Sequence, residues 1–286
     1  MGGLLMKPII VDGPFLAHRS YHAPYRLFTV KGTDGTMLHS FMRTLNALRK
    51  KYKPKKFIVA WESHGTVSWR RELYPNYKPK ETHNKRKVFW DNIKDVQIFL
   101  YLLGVEQYYA PHNEADDVIA TLVNNGYRNS LVFTIDKDMM QLVDEKCHVC
   151  RSVKEEFGPK EVKKKYGVTP DKIPDLLAIW GDKIDSIEGI NGYGIKKSNR
   201  ILNKYGCIEN IDESCTIHKY MNRMKLNKKL TTLNKKCNLQ SVPNKDFKTK
   251  ETLESILDKY ELVKMKENLS EIKLIGNKGG IDAWIN

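Results

Sequence analysis

Lys7-Pro8-Ile9-Ile10-Val11-Asp12-Gly13 is a short, continuous apolar run closed by an acid and a glycine. An uninterrupted run of this kind reads as a strand buried on both faces, as in a parallel sheet, leading into a loop. The pattern returns at Lys56-Phe57-Ile58-Val59-Ala60-Trp61-Glu62. It returns again at Ser130-Leu131-Val132-Phe133-Thr134-Ile135-Asp136-Lys137-Asp138, where two acids close it. Helical stretches lie between the runs. Thr36 to Lys50 carries Leu38, Phe41, Met42, Leu45 and Leu48 on one face, an amphipathic helix begins at Val88 or Phe89, and 113–126 carries Val118, Ile119, Leu122 and Val123. Strands alternating with helices predict an α/β fold, a mainly parallel central sheet flanked by helices.

In such sheets the functional crevice lies outside the carboxyl ends of the strands. Asp12, Glu62, Asp136 and Asp138 all fall there. A single Asp after a strand is an ordinary turn former, but three strands ending in acids need a further reason. Asn113-Glu114-Ala115-Asp116-Asp117 opens a helix with three carboxylates in four residues. The helix dipole alone favours acids in a first turn. Three like charges also repel, and if they converge in a cleft they require a cation. Gly181-Asp182-Lys183-Ile184-Asp185 adds two more acids, three residues apart. Together these positions predict a convergent acidic pocket. The set contains no histidine or cysteine, and oxygen-only ligands favour Mg²⁺ or Mn²⁺ over zinc.

The chain has 286 residues, 41% of them hydrophobic, enough for one large domain or two modest ones. Lysine and arginine total 49 against 34 acids, a formal charge of +15, which points to a polyanionic partner such as nucleic acid. No apolar run approaches the roughly 20 residues that span a bilayer. The start is too short and too weakly basic for a secretory signal, and Met6 stands where a myristoylation motif needs Ser or Thr. A cytoplasmic location is expected. Five unpatterned cysteines fit a reducing compartment. The lone Cys147-His148-Val149-Cys150 has no second ligand pair, and strand alternation would send its thiols to opposite faces.

Trp69-Arg70-Arg71-Glu72-Leu73-Tyr74-Pro75-Asn76-Tyr77-Lys78-Pro79-Lys80, followed by His83, Lys85, Arg86 and Lys87, interleaves basic and aromatic residues. Cations there can hold phosphates, and Tyr or Trp can stack on bases. A solvated loop would have the same composition. Further on, Lys160 to Gly167 reads as a short basic helix and Ile173 to Trp180 as another. Gly189-Ile190-Asn191-Gly192-Tyr193-Gly194-Ile195-Lys196-Lys197 then leads into a helix bearing Ile201 and Leu202. Free amides at that helix start can take a phosphate. A glycine hairpin between two helices, with lysines at the second, reads as a helix-hairpin-helix gripping a nucleic-acid backbone. The remainder is lysine-rich and expected to be helical, with Leu253, Ile256, Leu257, Tyr260 and Leu262 on an apolar face. Without a Pro/Gly/Ser linker, that part is expected to pack on the core. The expected division is 1–175 for the α/β core, including an arch at about 70–90, and 176–286 for the hairpin and helical region.

The ordered set Ile10-Val11-Asp12-Gly13, Trp69 to Tyr74 with Asn76-Tyr77-Lys78, Glu114-Ala115-Asp116-Asp117, Thr134 to Asp138, and Gly181-Asp182 with Asp185 resembles the structure-specific 5′-nuclease superfamily. Its members include flap endonucleases, bacteriophage 5′-to-3′ exonucleases and the 5′-nuclease domain of DNA polymerase I. The resemblance covers about residues 7 to 245 and implies a PIN-like core with a helical arch. No polymerase region follows, so a free-standing enzyme is expected. By this resemblance Asp12, Glu62, Glu114, Asp116 and Asp136 fall in a first metal cluster, with Asp12, Asp116 and Asp136 at the catalytic centre. Asp138, Asp182 and Asp185 fall in a second cluster, with Asp117 adjoining. Lys78 matches the arch lysine that approaches the scissile phosphate. Arg70, Arg71, Tyr77, Lys78, Lys80, Lys85 and Arg86 are expected to meet DNA from the arch, and Gly189, Gly192, Gly194, Lys196 and Lys197 from the hairpin. Family members can also bind K⁺ at the hairpin. Glu62 stands where relatives commonly have Asp, and Glu81 occupies the place of the arch arginine unless Lys80, Lys85 or Arg86 takes its role. The implied activity is two-metal hydrolysis at 5′ ends, flaps or junctions of duplex DNA, and RNA–DNA hybrid is a further substrate class. The implied state is a monomer. A noncatalytic DNA-binding protein on the same fold and a metal-dependent ribonuclease are the alternatives.

Overall fold

The sheet is built from the apolar runs and extended at both edges. In the computed structural model, which describes residues 7–63, 65–78, 86–242 and 248–276, five strands run parallel. They are β1 (Ile9–Asp12), β2 (Phe57–Ala60), β3 (Glu106–Tyr109), β4 (Leu131–Phe133) and β5 (His148–Ser152). Two short antiparallel strands close the edges, β6 (Glu155–Phe157) on β5 and β7 (Gln240–Ser241) on β3. The order is β6-β5-β4-β1-β2-β3-β7. The chain leaves β1 toward β2 and β3, then returns to the other side of β1 as β4 and β5. This makes β1/β4 the switch point, where a crevice opens beyond the strand ends.

Strand alternation divides the interior into two layers. Ile10, Ile58, Val132 and Val149 face one core with Val118, Ile119 and Leu122 of α5 (Ala115–Asn124) and Leu176 and Ile179 of α7 (Ile173–Trp180). Ile9, Val11, Phe57, Val59 and Phe133 face the other, against α2 (Thr36–Tyr52) and α4 (Arg86–Leu102). Each large side chain so enclosed stabilises the fold by about 1.5–3 kcal/mol. Cys147 belongs to the first core and Cys150 to the second, so their thiols lie on opposite faces of the sheet.

Helix starts place the acids. The Asp12 carboxylate accepts the Phe15 N–H at 3.0 Å and caps α1 (Gly13–Tyr21), with Pro14 in its first turn. Glu114 is the N-cap of α5, and its N–H donates to Asp117 at 3.4 Å. Gly181 ends α7 with a positive φ of 81°. A side chain at Gly189 would meet the Trp180 carbonyl at 2.0 Å, so the two segments can cross only with glycine there. The hairpin leads into α8 (Ile195–Tyr205), and α9 (Met221–Thr231) packs on α7.

Beyond β7, Leu253, Ile256, Leu257, Tyr260 and Leu262 are all buried in the second core, from α10 (Leu253–Lys259) and the turn after it. Asp95 of α4 accepts from Lys259 at 2.6 Å and from the Tyr260 hydroxyl, which fastens α10 to the helix layer beneath the sheet.

Candidate active site

The acids of β1, β4 and α5 converge at the switch point. Asp12 is 5% exposed, and Thr134 in the turn after β4 orients it: its hydroxyl donates to Asp12 at 2.7 Å and accepts the Asp136 N–H at 3.1 Å. The Asp136 carboxylate in turn accepts the Asp138 N–H at 2.8 Å. Burial, with repulsion from Asp136, pushes Asp12 up to about 6, against the Thr134 and Phe15 hydrogen bonds that favour its ionised form. Burial and repulsion from Asp136 and Asp12 push Asp116 well above the usual carboxylate range. Glu62 is pushed up by desolvation and by Glu114, Asp12 and Asp185, with Lys78 opposing. Its side chain keeps contact with solvent, which screens these effects.

A second group lies alongside. The carboxylates of Asp138, Asp182 and Asp185 are all buried, with one oxygen of each within 4.8 Å of the others. Desolvation, with repulsion from Asp136, Asp182 and Asp185, holds Asp138 well above the usual range. Asp185 is pushed up to about 6, chiefly by burial and by Asp136, with Lys78 opposing. Asp138 Oδ1 is buried and has no hydrogen-bond partner among the described residues. Three buried carboxylates with an orphaned oxygen are a donor set that fits a hard divalent cation.

Two lysines answer this charge. Lys78 Nζ lies 2.6 Å from Glu114 and 3.5 Å from Asp185. Burial pushes Glu114 up, but Lys78 and Arg70 outweigh it and hold the carboxyl below its ordinary value. Lys78 adopts φ +43°, uncommon for a residue with a side chain, and its N–H donates to the Asp185 carbonyl at 3.2 Å. Lys137 Nζ lies 2.7 Å from Asp182. The sequence patterns above do not single out Lys137. Its one signal is a cation placed between two strand-end acids.

The arch begins at α3 (Trp69–Leu73). Three of the expected site residues there, Arg70, Asp117 and Tyr77, are buried with partners of their own. Arg70 is 2% exposed and its guanidinium is fully engaged: it makes a bidentate pair with Asp117 at 2.6 and 2.8 Å, and its Nε donates to the Leu230 carbonyl at 2.7 Å. It has no face left for DNA. Asp117 is completely buried and also accepts from Trp69 Nε1 at 3.2 Å and the Asn234 N–H at 2.8 Å, so both its oxygens are engaged by the ion pair and further donors. Tyr77 is likewise buried. Its hydroxyl lies 3.1 Å from Glu114 and 3.0 Å from Asp185, inside the acidic crevice rather than facing a base. Arg71 Nε donates to the Tyr77 carbonyl at 3.2 Å. Lys80, Glu81 and Lys85, with the side chain of Arg86, lie outside the described residues. At the hairpin, Gly192, Gly194, Lys196 and Lys197 are exposed, and a side chain at Gly194 would meet open space. Gly189 serves the close crossing instead.

Residues 7–167 match the family model of the 5′-3′ exonuclease N-terminal resolvase-like domain, and residues 168–255 that of the 5′-3′ exonuclease C-terminal SAM fold. The chain belongs to the 5′-3′ exonuclease family. A 5′-3′ exonuclease of Aquifex aeolicus is 38% identical over 208 residues, 71% of each chain. DNA polymerase I of Bacillus subtilis is 32% identical over 222 residues, 73% of this chain and 24% of that one. Among solved structures, the T5 D15 protein co-crystallised with metal ions superposes with a TM-score of 0.68 at 21% identity, covering 93% of this chain and 99% of that one. Human GEN1 in complex with Holliday junction DNA gives 0.58 at 16%, covering 93% and 71%. At such identities the structural likeness concerns the fold of this 5′-3′ exonuclease, and its chemistry is argued from its own residues.

Proposed function

We propose that this structure-specific 5′ nuclease hydrolyses phosphodiester bonds at 5′ ends, flaps or junctions of duplex DNA, using two Mg²⁺ or Mn²⁺ ions held by its buried carboxylates. The observation that carries the reading is the Asp138–Asp182–Asp185 group with its orphaned oxygen, set beside Asp12, Asp116 and Asp136 at the switch point. When bound, such ions supply a water activated at neutral pH and neutralise charge on the attacking and leaving oxygens. Asp12, Glu62, Glu114, Asp116 and Asp136 would hold one ion, and Asp138, Asp182 and Asp185 the other. Both DNA and metal ions accompany a T5 D15 flap endonuclease of similar fold in a pseudo-enzyme-product complex, which supports metal ions and DNA as the occupants of this crevice.

This chain's cations then divide the remaining work. Lys78, 2.6 Å from Glu114 and 3.5 Å from Asp185 at the foot of the arch, lies where an ammonium can neutralise charge developing on a phosphate. Lys137 restrains Asp182. The exposed Gly192 and Gly194, with Lys196 and Lys197, would take the backbone of the uncut duplex without reading its sequence. Two parts of this reading rest on the family resemblance alone: K⁺ at the hairpin and RNA–DNA hybrid as a substrate. The protein is taken as a cytoplasmic monomer.

The test uses a labelled 5′-flap duplex and a single-stranded RNA of the same length, each with Mg²⁺ and with chelator. Cleavage of the flap near its junction in Mg²⁺ alone is the expected result. Preference for the RNA would replace the reading with a ribonuclease, and binding without cleavage would replace it with a noncatalytic DNA-binding protein.

A further inference from the structure

The three-carboxylate group already faces a cation, and it is the protein's own. Lys137 follows β4 between Asp136 and Asp138, and its ammonium reaches across to Asp182 Oδ2 at 2.7 Å. Lys137 is one restraint on Asp182 among several. The Asp182 N–H and carbonyl pair with Ile187 at 2.8 and 2.7 Å, and its Oδ1 accepts the Ile184 N–H at 3.0 Å. Those three hydrogen bonds hold the turn and orient the carboxylate without any lysine. What Lys137 adds to them is charge. The other two acids are served unevenly. Asp185 accepts from the Tyr77 hydroxyl at 3.0 Å and has Lys78 3.5 Å away, but Lys78 lies closer to Glu114, at 2.6 Å. Asp138 Oδ1 is buried with no hydrogen-bond partner among the described residues. Among those residues, Lys137 is therefore the cation given to this group alone.

We propose that Lys137 is the resident counter-ion of the Asp138–Asp182–Asp185 group: a divalent cation must displace its ammonium from Asp182, so Lys137 sets how tightly that cation is held. The proposal rests on the reading of the site as a metal-dependent 5′ nuclease. It goes further by making metal affinity the property of a residue that ligates nothing. Two effects act in the same direction. An Asp182 oxygen has to give up a charge-assisted hydrogen bond before it can ligate. An ammonium that stays beside a dication repels it, the more strongly because the group is buried. In the metal-free protein the same pair offsets a carboxylate charge that would otherwise be buried uncompensated. Release of the ammonium has a path. Lys137 keeps 19% of its side chain exposed on a flexible four-carbon stem. Its Nζ lies 5.5 Å from the centre of the Trp180 ring, which is exposed at the end of α7, so an ammonium leaving Asp182 keeps an aromatic face as it moves toward solvent.

The experiment reads metal binding in the absence of DNA. Chelator-stripped wild type, Lys137→Met and Lys137→Gln are titrated with Mn²⁺ in a calorimeter at neutral pH, and a metal-free melt shows which variants are folded. Glutamine keeps a hydrogen-bond donor for Asp182 and removes the charge, whereas methionine removes both. Each folded variant is expected to bind one Mn²⁺ about tenfold or more tightly than wild type does. Its metal-free melting temperature is expected to fall and the rise produced by Mn²⁺ to grow. A lysine that only held Asp182 in place would give the opposite sign: weaker binding in Lys137→Met and wild-type binding in Lys137→Gln. A folded variant that binds Mn²⁺ no more tightly than wild type overturns the counter-ion role, and one folded variant is enough to decide. Wild-type protein that takes up no Mn²⁺ overturns the two-metal reading of the site instead, so the two failures are distinguishable in one set of titrations.

Discussion

Asp12, Asp116, Asp138 and Asp185 all hold protons more tightly in the folded chain than free carboxyls do, because they are buried among one another. For Asp12 and Asp185 the folded value is about 6 against an ordinary 3.8. The folded state therefore binds more protons than the unfolded state across this interval. The stabilising contribution of these groups is complete below the unfolded value and is lost as pH rises through about 6. Glu114 runs the other way, since Lys78 and Arg70 hold it low. Glu62 is raised as well, so five crevice carboxyls stand against one, and the metal-free protein is expected to melt at a lower temperature at about pH 7.5 than at about pH 5. Mg²⁺ is expected to shrink the difference by binding the ionised form. Thermal melts in chelator and in Mg²⁺, repeated on Asp138→Asn, check this. A slope in chelator as steep in the variant as in the wild type would count against Asp138 as a source of it. At this scale the acids were legible because strand ends and a helix start announce themselves by pattern. Depth was not legible: Arg70 and Asp117 read as a DNA contact and a metal ligand because sequence gives their charge but not that each is the other's partner.

At the scale of elements, the Arg70–Asp117 pair joins α3, α5 and the end of α9 in one buried contact. Removing one partner of such a pair leaves an uncompensated charge in the interior, whereas removing both leaves none. Arg70→Met is therefore expected to lose about 3–5 kcal/mol of stability, and Arg70→Met combined with Asp117→Leu to recover most of the loss. Urea unfolding of the three proteins measures this, and a single variant within about 1 kcal/mol of wild type would show that the pair is not buried in solution. The principal strands and helices followed from their apolar runs. Strands β3 and β7 did not. Glu106-Gln107-Tyr108-Tyr109 is polar by composition, and β3 is buried mainly through Gln107, whose amide accepts from Trp61 Nε1 at 3.0 Å and donates to the Gln97 carbonyl at 2.9 Å. β7 is two residues long and is specified by its pairing to β3 rather than by any local pattern. Lys137 was equally silent in the sequence, because a lysine that pairs with a buried acid looks like any solvated one.

For the whole molecule, the net charge of +15 coexists with an acidic crevice. A basic surface draws a polyanion in, while the crevice repels its phosphates unless cations intervene. In the proposed mechanism cleavage depends on the buried carboxylates as metal ligands, and Asp182 tests this most directly because it is 4% exposed, sits in the three-carboxylate group and is paired to Lys137. The measurement is single-turnover cleavage of a labelled 5′-flap duplex in Mg²⁺ by wild type and Asp182→Asn, with affinity for the same duplex measured in parallel. Metal ligation by Asp182 predicts cleavage slowed about 100-fold or more with affinity within roughly threefold of wild type. Wild-type turnover by Asp182→Asn in Mg²⁺ would contradict it.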